Sequence, residues 1–300
     1  MKYDLITILG PTAIGKTSIA IKLALKFNGE IISADSRQVY KYMDIGTGKD
    51  LNDFIIDQKT TIPYYIIDVC HPNDDYNLFK FKKDFDNAYS YVKKKGKIPF
   101  LVGGTGLFLN AILSSYHIQE LDFNAPEYQY LYTKSSEELK KILFQYDDLV
   151  HNKNDYNDRD RMIKRIIILS NKNKWQDENK INSLTIGIFS DREDNKKRIT
   201  ERLKYRLQNG MIDEVKKLLE MGITHKRLFY FGLEYRYISL YLQNKLNYND
   251  MYQKLNSQIH KFAKRQMTWF RKMEREGIII HWFHPDNYDE IEKFVSKNII

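Results

Sequence analysis

The sequence predicts an α/β protein in which a mostly parallel β-sheet with crossover helices is interrupted by a mainly helical insertion. Short apolar runs rich in β-branched residues alternate with segments of helical periodicity, as in βα units. A glycine-rich loop joins the first of these runs to the first helix. Between residues 116 and 182 the alternation stops, glycine is absent, and Asp, Asn, Tyr and Lys dominate. We therefore expect one core built from residues 1–115 and 183–300, with a second domain at 116–182.

Length and composition indicate a globular protein with its own hydrophobic core. A chain of 300 residues with 42% hydrophobic and 29% charged residues is long enough to bury a core without staples. Cys70 is the single cysteine, which excludes a disulfide framework or a C-x-x-C centre and favours a reducing compartment. No apolar run is long enough to span a bilayer and no signal-like stretch begins the chain, so we expect a cytoplasmic protein without a membrane partner.

The elements of the core follow in order. Residues 3–9 form an apolar run ending in glycine, which is typical of a buried parallel strand. Residues 16–27 carry apolar side chains at helical spacing, and Asn28-Gly29 ends that helix. The same criteria predict strands at 30–33, 64–69, 99–102 and 184–189, and helices at 78–95 and 107–113.

The insertion and the last third of the chain are predicted to be helical. Residues 137–144 and 161–169 place apolar residues at helical spacing, whereas 152–158 are polar except for one tyrosine. Residues 195–275 are again helical, and a short strand-like run follows at 278–283.

The loop after the first strand fits the pattern G-x-x-x-x-G-K-[ST] in the context that gives this pattern meaning, between a strand and a helix. Its residues are Gly10, Pro11, Thr12, Ala13, Ile14, Gly15, Lys16 and Thr17. Backbone N–H groups and the helix N-terminus favour a phosphate, Lys16 adds a cation, and the Thr17 hydroxyl suits Mg²⁺. The core is therefore predicted to be P-loop NTPase-like. The ligand stays open, because ATP, GTP or another diphosphate would fit such a loop.

Two further loops follow predicted strands and should reach the same crevice. The first begins at Asp35, a candidate general base, although a magnesium ligand or a solvated loop aspartate would also account for it. The second is Gly103-Gly104-Thr105-Gly106, whose Thr105 could contact a phosphate oxygen.

Two clusters of basic residues suggest an anionic partner, in keeping with a net charge of +9 and a pI near 9.2. Arg198, Arg202 and Arg206 recur every four residues, where like charges repel, so these guanidiniums could clamp phosphates. A solvated face balanced by Glu201 and Asp213 is the alternative. Residues 257–275 form a helix whose basic stripe suits a phosphate backbone, or else an ordinary amphipathic surface. This stripe comprises Lys261, Lys264, Arg265, Arg271, Lys272 and Arg275.

Together these motifs resemble those of the tRNA dimethylallyltransferase (tRNA isopentenyltransferase) family. The resemblance lies in four segments that occur in family order and span residues 10–271. They are the loop 10–17, Asp35-Ser-Arg-Gln-Val-Tyr40 continuing to Met43-Asp-Ile-Gly-Thr47, the turn 103–106, and Ala263-Lys-Arg-Gln-Met-Thr-Trp-Phe-Arg271.

The resemblance implies transfer of a dimethylallyl group from dimethylallyl diphosphate to N6 of the adenosine immediately 3′ of a tRNA anticodon. Asp35 would accept the N6 proton, and Lys16, Thr105 and an arginine, Arg202 in preference to Arg198, would bind the departing pyrophosphate with Mg²⁺. The insertion would bind tRNA. The tRNA contacts implied are Asp35, Ser36, Arg37, Gln38, Thr105, Arg161, Lys261, Lys264, Arg265 and Arg271. One chain would complete the site, so a monomer is expected.

The sequence departs from the family pattern in two places. Asn157-Asp-Arg-Asp-Arg161-Met has Arg159 where the family usually has proline. In Phe231-Gly-Leu-Glu-Tyr-Arg236 the usual Gly-Tyr pair is altered, which leaves the roles of Glu234 and Tyr235 open. An isopentenyltransferase acting on AMP or ADP, a P-loop small-molecule kinase and a non-catalytic RNA-binding protein are the alternatives. Comparing free AMP with tRNA as acceptor, and testing whether RNA binding depends on diphosphate and Mg²⁺, separates them.

Overall fold

A computed structural model describes residues 2–57, 60–114, 122, 125–146, 158–171 and 181–299. Its strands are β1 (Leu5–Leu9), β2 (Gly29–Ala34), β3 (Tyr64–Tyr65), β4 (Ile98–Gly103), β5 (Ser183–Ile188) and β6 (His281–Phe283). The helices before β5 are α1 (Lys16–Lys26), α2 (Leu78–Lys94), α3 (Gly106–Leu113), α4 (Ser136–Tyr146) and α5 (Arg159–Ser170). Those after it are α6 (Arg192–Gln208), α7 (Met211–Glu220), α8 (His225–Phe231), α9 (Leu233–Leu242), α10 (Tyr248–Arg275) and α11 (Tyr288–Ile299). Short 3₁₀ helices occupy Leu51–Phe54 and Pro126–Thr133.

Within this described part, six strands pair in parallel in the order β3-β2-β4-β1-β5-β6. β1 lies centrally because its apolar residues are buried on both faces of the sheet. Ile6 and Ile8 pack with Ile19 and Leu23 of α1, whereas Leu5 and Leu9 belong to the larger core on the other face. The predicted α/β class with a parallel sheet is confirmed.

The edge strands are shorter than the sequence predicts. The run 64–69 forms only the two residues of β3, because Ile66 and Asp68 take positive φ angles of 63° and 57° and turn the chain out of the sheet. β6 likewise begins at His281 and not at residue 278. The helix α11, which was not predicted, covers the sheet through Ile291 and Val295.

The predicted helical region 195–275 is divided into five helices, α6 to α10. Gly210, Gly222 and Gly232 lie at the breaks, each with a positive φ that a helix cannot continue. The division turns α6, α9 and α10 toward the end of the sheet where the strands end, so these helices contribute side chains to the site described below.

The chain separates into two compact units, residues 1–116 with 180–300, and residues 117–179. In the second unit, α4 and α5 pack around Leu139, Leu143, Ile163 and Ile166, together with Leu131 of the 3₁₀ helix. Helices therefore form where apolar residues recur in the insertion. The polar stretch at 152–157 and the predicted domain boundary at 115/116 lie outside the described residues. Within the described ranges, no helix is long and apolar enough to cross a bilayer.

Candidate active site

Three loops meet at one end of the sheet because the strands that precede them are neighbours. Ala34 of β2 pairs with Gly103 of β4, and Gly103 pairs with Leu9 of β1. The residues that follow these three, Asp35, Gly104 and Gly10, therefore leave the sheet side by side. The carboxyl ends of parallel strands form the crevice where α/β proteins bind ligands.

The first loop has the geometry of an anion cradle. Gly15 caps α1 in a left-handed conformation, with φ 88°, so the free N–H groups of the helix start face the loop. Nζ of Lys16 turns back to donate to the carbonyl of Pro11 at 2.7 Å. Burial lowers the pKa of the Lys16 amine to about 8, with help from the charge of Arg202 and opposition from Asp35. This cation is poorly hydrated and therefore suited to a phosphate.

Asp35 and Thr105 are held together across the crevice. The backbone N–H groups of Arg37 and Gln38 donate to Oδ1 of Asp35 at 2.8 and 3.4 Å, which fixes the carboxylate in a turn. The backbone N–H of Ser36 donates to the Thr105 hydroxyl at 3.0 Å, and that hydroxyl donates to Oγ of Ser36 at 3.4 Å. The second and third loops are thus linked by hydrogen bonds, and the carboxylate is held beside the hydroxyl.

Arg202 and Arg206 of α6 reach the phosphate-binding loop from the other side. Nη2 of Arg202 donates to the hydroxyl of Thr12. Burial lowers the pKa of Arg202 to about 9, with a further contribution from the charge of Arg206. Arg206 is 6% exposed and lies 3.6 Å from the carboxylate of Asp50. Gly48 is required beside it, because a Cβ there would lie 1.9 Å from Nη2 of Arg206. Two buried guanidiniums favour a ligand of high negative charge.

These groups line two cavities that share a wall. The smaller, of about 260 Å³, contains the phosphate-binding loop with Lys16 and Thr17. The larger, of about 420 Å³, is bordered by Ser36, Arg37 and Thr105 and by aromatic side chains of α8 to α10. Both are lined by Thr12, Asp35, Thr47, Arg202 and Phe262. Asp35 therefore lies where the anion-binding cavity meets the larger, partly aromatic one. Such an arrangement suits a reaction between a phosphate-bearing donor and an aromatic acceptor.

Gln266 joins the phosphate-binding loop to the Gly-rich turn. Its Oε1 accepts from the backbone N–H of Thr12 at 2.8 Å, and its Nε2 donates to the carbonyl of Gly104 at 2.8 Å. The side chain is 6% exposed, and a Cβ on Gly104 would lie 2.3 Å from Nε2. The buried side of α10 therefore links two loops of the site. Of the basic stripe, Arg265 lines the larger cavity, whereas Lys264 and Arg271 are exposed on the surface.

The site contains two acidic residues to which the sequence assigns no role, Glu214 and Glu234. Glu214 accepts the backbone N–H groups of Asp44, Ile45 and Gly46 at 2.7, 2.6 and 3.0 Å and the hydroxyl of Tyr235 at 2.9 Å. It thereby fixes the loop that brings Thr47 to both cavities. The only signal for this loop in the sequence is the run 43–47.

Glu234 lines the larger cavity together with Arg202 and Arg206. The segment 231–236, where the sequence departs from the family pattern, is therefore part of the site. Burial raises the pKa of Glu234, while the charges of Arg206 and Arg202 oppose the shift. Glu201 is exposed and Asp213 pairs with Lys216 at 2.9 Å, so neither balances the arginines. Glu234 and Asp50 do so instead.

Most of the predicted phosphate site is brought together, with one exception. Arg198 is partly exposed, pairs with Asp286 at 3.4 Å and borders neither cavity. It lies one turn before Arg202, but its side chain is engaged outside both cavities, so it is not placed as a diphosphate ligand. Arg206, the third arginine of the predicted cluster, is 6% exposed and lines the larger cavity.

The predicted RNA contacts are distributed over the surface and the cavity. Ser36, Arg37, Thr105 and Arg265 line the larger cavity. The amide of Gln38 is engaged inside the protein, accepting from Ser33 at 3.1 Å and donating to Gly48 at 2.9 Å. Lys261, Lys264 and Arg271 are exposed on α10. In the second unit, Arg161 is exposed and lies 3.5 Å from Asp158.

Comparison with known proteins gives consistent results. The IPP transferase family model matches residues 38–273, and the isopentenyl transferase model matches residues 3–67. The tRNA dimethylallyltransferase 1 of Azobacteroides pseudotrichonymphae is 51% identical over 99% of this chain and 98% of its own. The tRNA dimethylallyltransferase 2 of Phocaeicola vulgatus is 46% identical over 98% of this chain and 97% of its own.

Two solved structures share the fold. The tRNA isopentenylpyrophosphate transferase of Bacillus halodurans superposes with a TM-score of 0.70 at 28% identity, covering 98% of this chain and 96% of that one. A eukaryotic dimethylallyltransferase acting on tRNA superposes with a TM-score of 0.76 at 23% identity, covering 98% of this chain and 76% of that one.

Proposed function

The chain belongs to the tRNA dimethylallyltransferase (IPP transferase) family, and on this basis we propose that it transfers a dimethylallyl group from dimethylallyl diphosphate to tRNA. The acceptor is N6 of the adenosine immediately 3′ of the anticodon, and pyrophosphate is released. The observation that carries the proposal is the position of Asp35, which borders both the phosphate-binding cavity and the larger aromatic cavity.

The diphosphate binds in the smaller cavity. Backbone N–H groups of residues 13–17, the amine of Lys16 and the guanidinium of Arg202 surround its oxygens. Thr105, which lines the adjoining larger cavity, completes the site. As the bond between the allylic carbon and the diphosphate oxygen breaks, the electron pair goes to the leaving group. The preorganised cations stabilise the charge that develops there.

The adenine occupies the larger cavity, where Phe231, Tyr235 and Phe262 provide apolar surface. N6 attacks the allylic carbon, a carbon–nitrogen bond forms, and the proton lost by N6 passes to the carboxylate of Asp35. The hydrogen bonds from Arg37 and Gln38 keep that carboxylate in place. A base in an anticodon loop is unpaired, so turning it into the cavity costs less than flipping it from a duplex.

The site also fits a divalent metal, which we propose to be Mg²⁺. Thr17 lies in the smaller cavity with Asp35, Asp50 and Asp53, and the described residues contain no group of three His, Cys, Asp or Glu that would form an all-protein site. Such a donor set suits Mg²⁺, which keeps water and uses substrate phosphates as ligands. Thr17 would hold the ion through its hydroxyl, and the ion would neutralise charge on the diphosphate.

The exposed basic side chains of α10 give the RNA a second contact, and Arg161 gives another from the inserted unit. Lys261, Lys264 and Arg271 bind the phosphate backbone, so affinity should fall with rising salt. All groups proposed for the reaction come from one chain, and we propose a cytoplasmic monomer as the active form.

The test compares acceptors. The protein is incubated with dimethylallyl diphosphate and Mg²⁺, with an unmodified anticodon stem-loop in one arm and free AMP in the other. The products are digested to nucleosides and analysed by mass spectrometry. Dimethylallyl-adenosine from the RNA arm alone is expected, and an RNA with guanosine at the target position should give none. Product from AMP alone would instead indicate the nucleotide isopentenyltransferase activity, and absence of product in both arms would refute the proposal.

A further inference from the structure

Tyr230 is an exposed tyrosine beside the larger cavity, and the proposed reaction does not use it. Tyr230 lies near the end of α8 and is 49% exposed, and the next residue, Phe231, lines the cavity. Large aromatic side chains that remain open to solvent beside a binding site commonly contact a partner.

The ring is tied to the cavity wall through Arg37. Nη2 of Arg37 donates to the backbone carbonyl of Tyr230 at 3.3 Å, and its guanidinium lies 5.4 Å from the centre of the tyrosine ring. Arg37 also lines the cavity. Tyr230 therefore contacts a side chain that lines the cavity.

A second guanidinium, that of Arg227, also lies against the ring and is held by several hydrogen bonds. Arg227 lies 4.5 Å from the centre of the Tyr230 ring, and its side chain is 16% exposed. It donates to the carbonyl of Pro72 at 2.6 Å, to the carboxylate of Asp75 at 2.6 Å and to the carbonyl of Asp74. Because this support is rigid, little conformational entropy is lost when a flat partner stacks on the exposed ring.

The charge around Tyr230 indicates the class of partner. Arg236 and Arg265 are exposed and line the same cavity, so three arginines surround the approach to it, with Arg37 as the third. Phosphates would be attracted to this region, and an aromatic ring backed by guanidiniums stacks well on a nucleobase. Each nucleotide of an RNA carries both a flat base and a phosphate, so an RNA would use both features at once.

We infer that Tyr230 is a stacking platform for the base of a nucleotide adjacent to the target adenosine. The inference rests on the proposed function, because it assumes that the target base enters the larger cavity. Stacking there would compensate for the contacts that neighbouring bases lose when the target base turns out of the loop. Tyr230 is thus a positioning residue for the RNA and takes no part in proton or group transfer.

The test uses Tyr230→Ala, Tyr230→Phe and Tyr91→Ala with anticodon stem-loops. Tyr91 is a matched control, because it is 54% exposed and has Lys95 5.1 Å from its ring centre, but packs by Tyr65 away from both cavities. Dissociation constants are measured by fluorescence anisotropy, and transfer rates at saturating RNA. Tyr230→Ala should weaken RNA binding about tenfold. Its rate at saturation should stay within about twofold of wild type, and Tyr230→Phe and Tyr91→Ala should bind like wild type.

Abasic RNAs make the test specific to stacking. Stem-loops lacking the base on the 5′ or the 3′ side of the target adenosine are measured with wild type and Tyr230→Ala. On one of these RNAs the two proteins should bind equally, because the stacking partner is already gone. An equal penalty on every RNA, or unchanged binding by Tyr230→Ala, would overturn the inference. If wild type binds RNA but transfers nothing, the proposed function fails, while the binding data still decide the role of Tyr230.

Discussion

At the scale of single residues, burial and charge give Lys16 and Arg202 the properties expected of the proposed phosphate ligands. Both have pKa values lowered by burial and by neighbouring positive charge, Lys16 to about 8 and Arg202 to about 9. The sequence does not predict these lowered pKa values. The loop pattern gives the position of Lys16 along the chain, but it does not show that α6 places the guanidinium of Arg202 nearby.

The lowered pKa of Lys16 predicts a pH dependence of donor binding. Below about pH 8 the amine is charged and binds the diphosphate, and as the pH rises through 8 it loses its proton and affinity falls. Titration calorimetry of dimethylallyl diphosphate from pH 6.5 to 9.5 should show this decline. In Lys16→Gln binding should be weaker at pH 7, and its decline near pH 8 should disappear. A wild-type affinity that is constant across this range would contradict the assignment.

Arg202 and Arg198 form a natural pair for mutation, since both are arginines of α6 one turn apart. Arg202→Ala should lower kcat/KM for dimethylallyl diphosphate by about 10²-fold, because a buried guanidinium that stabilises developing charge is lost. Arg198→Ala should change it by less than about twofold, because an exposed ion pair with Asp286 contributes little. Steady-state kinetics at saturating RNA distinguish the two. Equal losses of kcat/KM in the two variants would contradict the different roles given to Arg202 and Arg198.

At the scale of elements, α10 is the helix that connects the substrate-facing loops. Gln266 accepts from the loop of Thr12 and donates to the turn of Gly104, at a sequence separation that no local pattern reveals. The sequence predicts the amphipathic helix and its basic stripe. It does not predict that Gln266 on the buried face forms hydrogen bonds with the loops that contain Thr12 and Gly104. Strand lengths were also overestimated, as at Ile66 and Asp68, because their left-handed backbone is set by tertiary contacts.

Replacing Gln266 by leucine tests this organising role. The change keeps the volume but leaves the N–H of Thr12 and the carbonyl of Gly104 without their buried partner. We expect a loss of about 1–3 kcal/mol in the free energy of unfolding. Denaturant unfolding and diphosphate titration are the measurements, and the affinity for dimethylallyl diphosphate should fall as well. Thr268→Ala, on the exposed side of the same helix, is the control and should be near neutral. Unaltered stability and affinity in Gln266→Leu would refute the proposed bridge.

At the scale of the whole molecule, the parallel order of strands makes the site possible. β2, β4 and β1 are neighbours in the sheet although α1 lies between β1 and β2 in the sequence, and β3 and α2 lie between β2 and β4. Asp35, Gly104 and Gly10 therefore leave the sheet together. This convergence could be predicted, because strand, loop and helix signals agree at each of the three loops. The buried contacts of Glu214 with the backbone of residues 44–46 could not, since they join distant parts of the chain without any periodic signal.

Asp35, at the boundary of the two cavities, is the residue proposed to accept the proton during transfer to RNA. Single-turnover transfer from dimethylallyl diphosphate to an anticodon stem-loop, with both substrates saturating, tests this role most directly. Asp35→Ala should be slower than wild type by about 10²-fold or more. Its dissociation constant for the RNA should change much less. An unchanged rate in Asp35→Ala, or a loss of rate explained entirely by loss of RNA binding, would contradict the account.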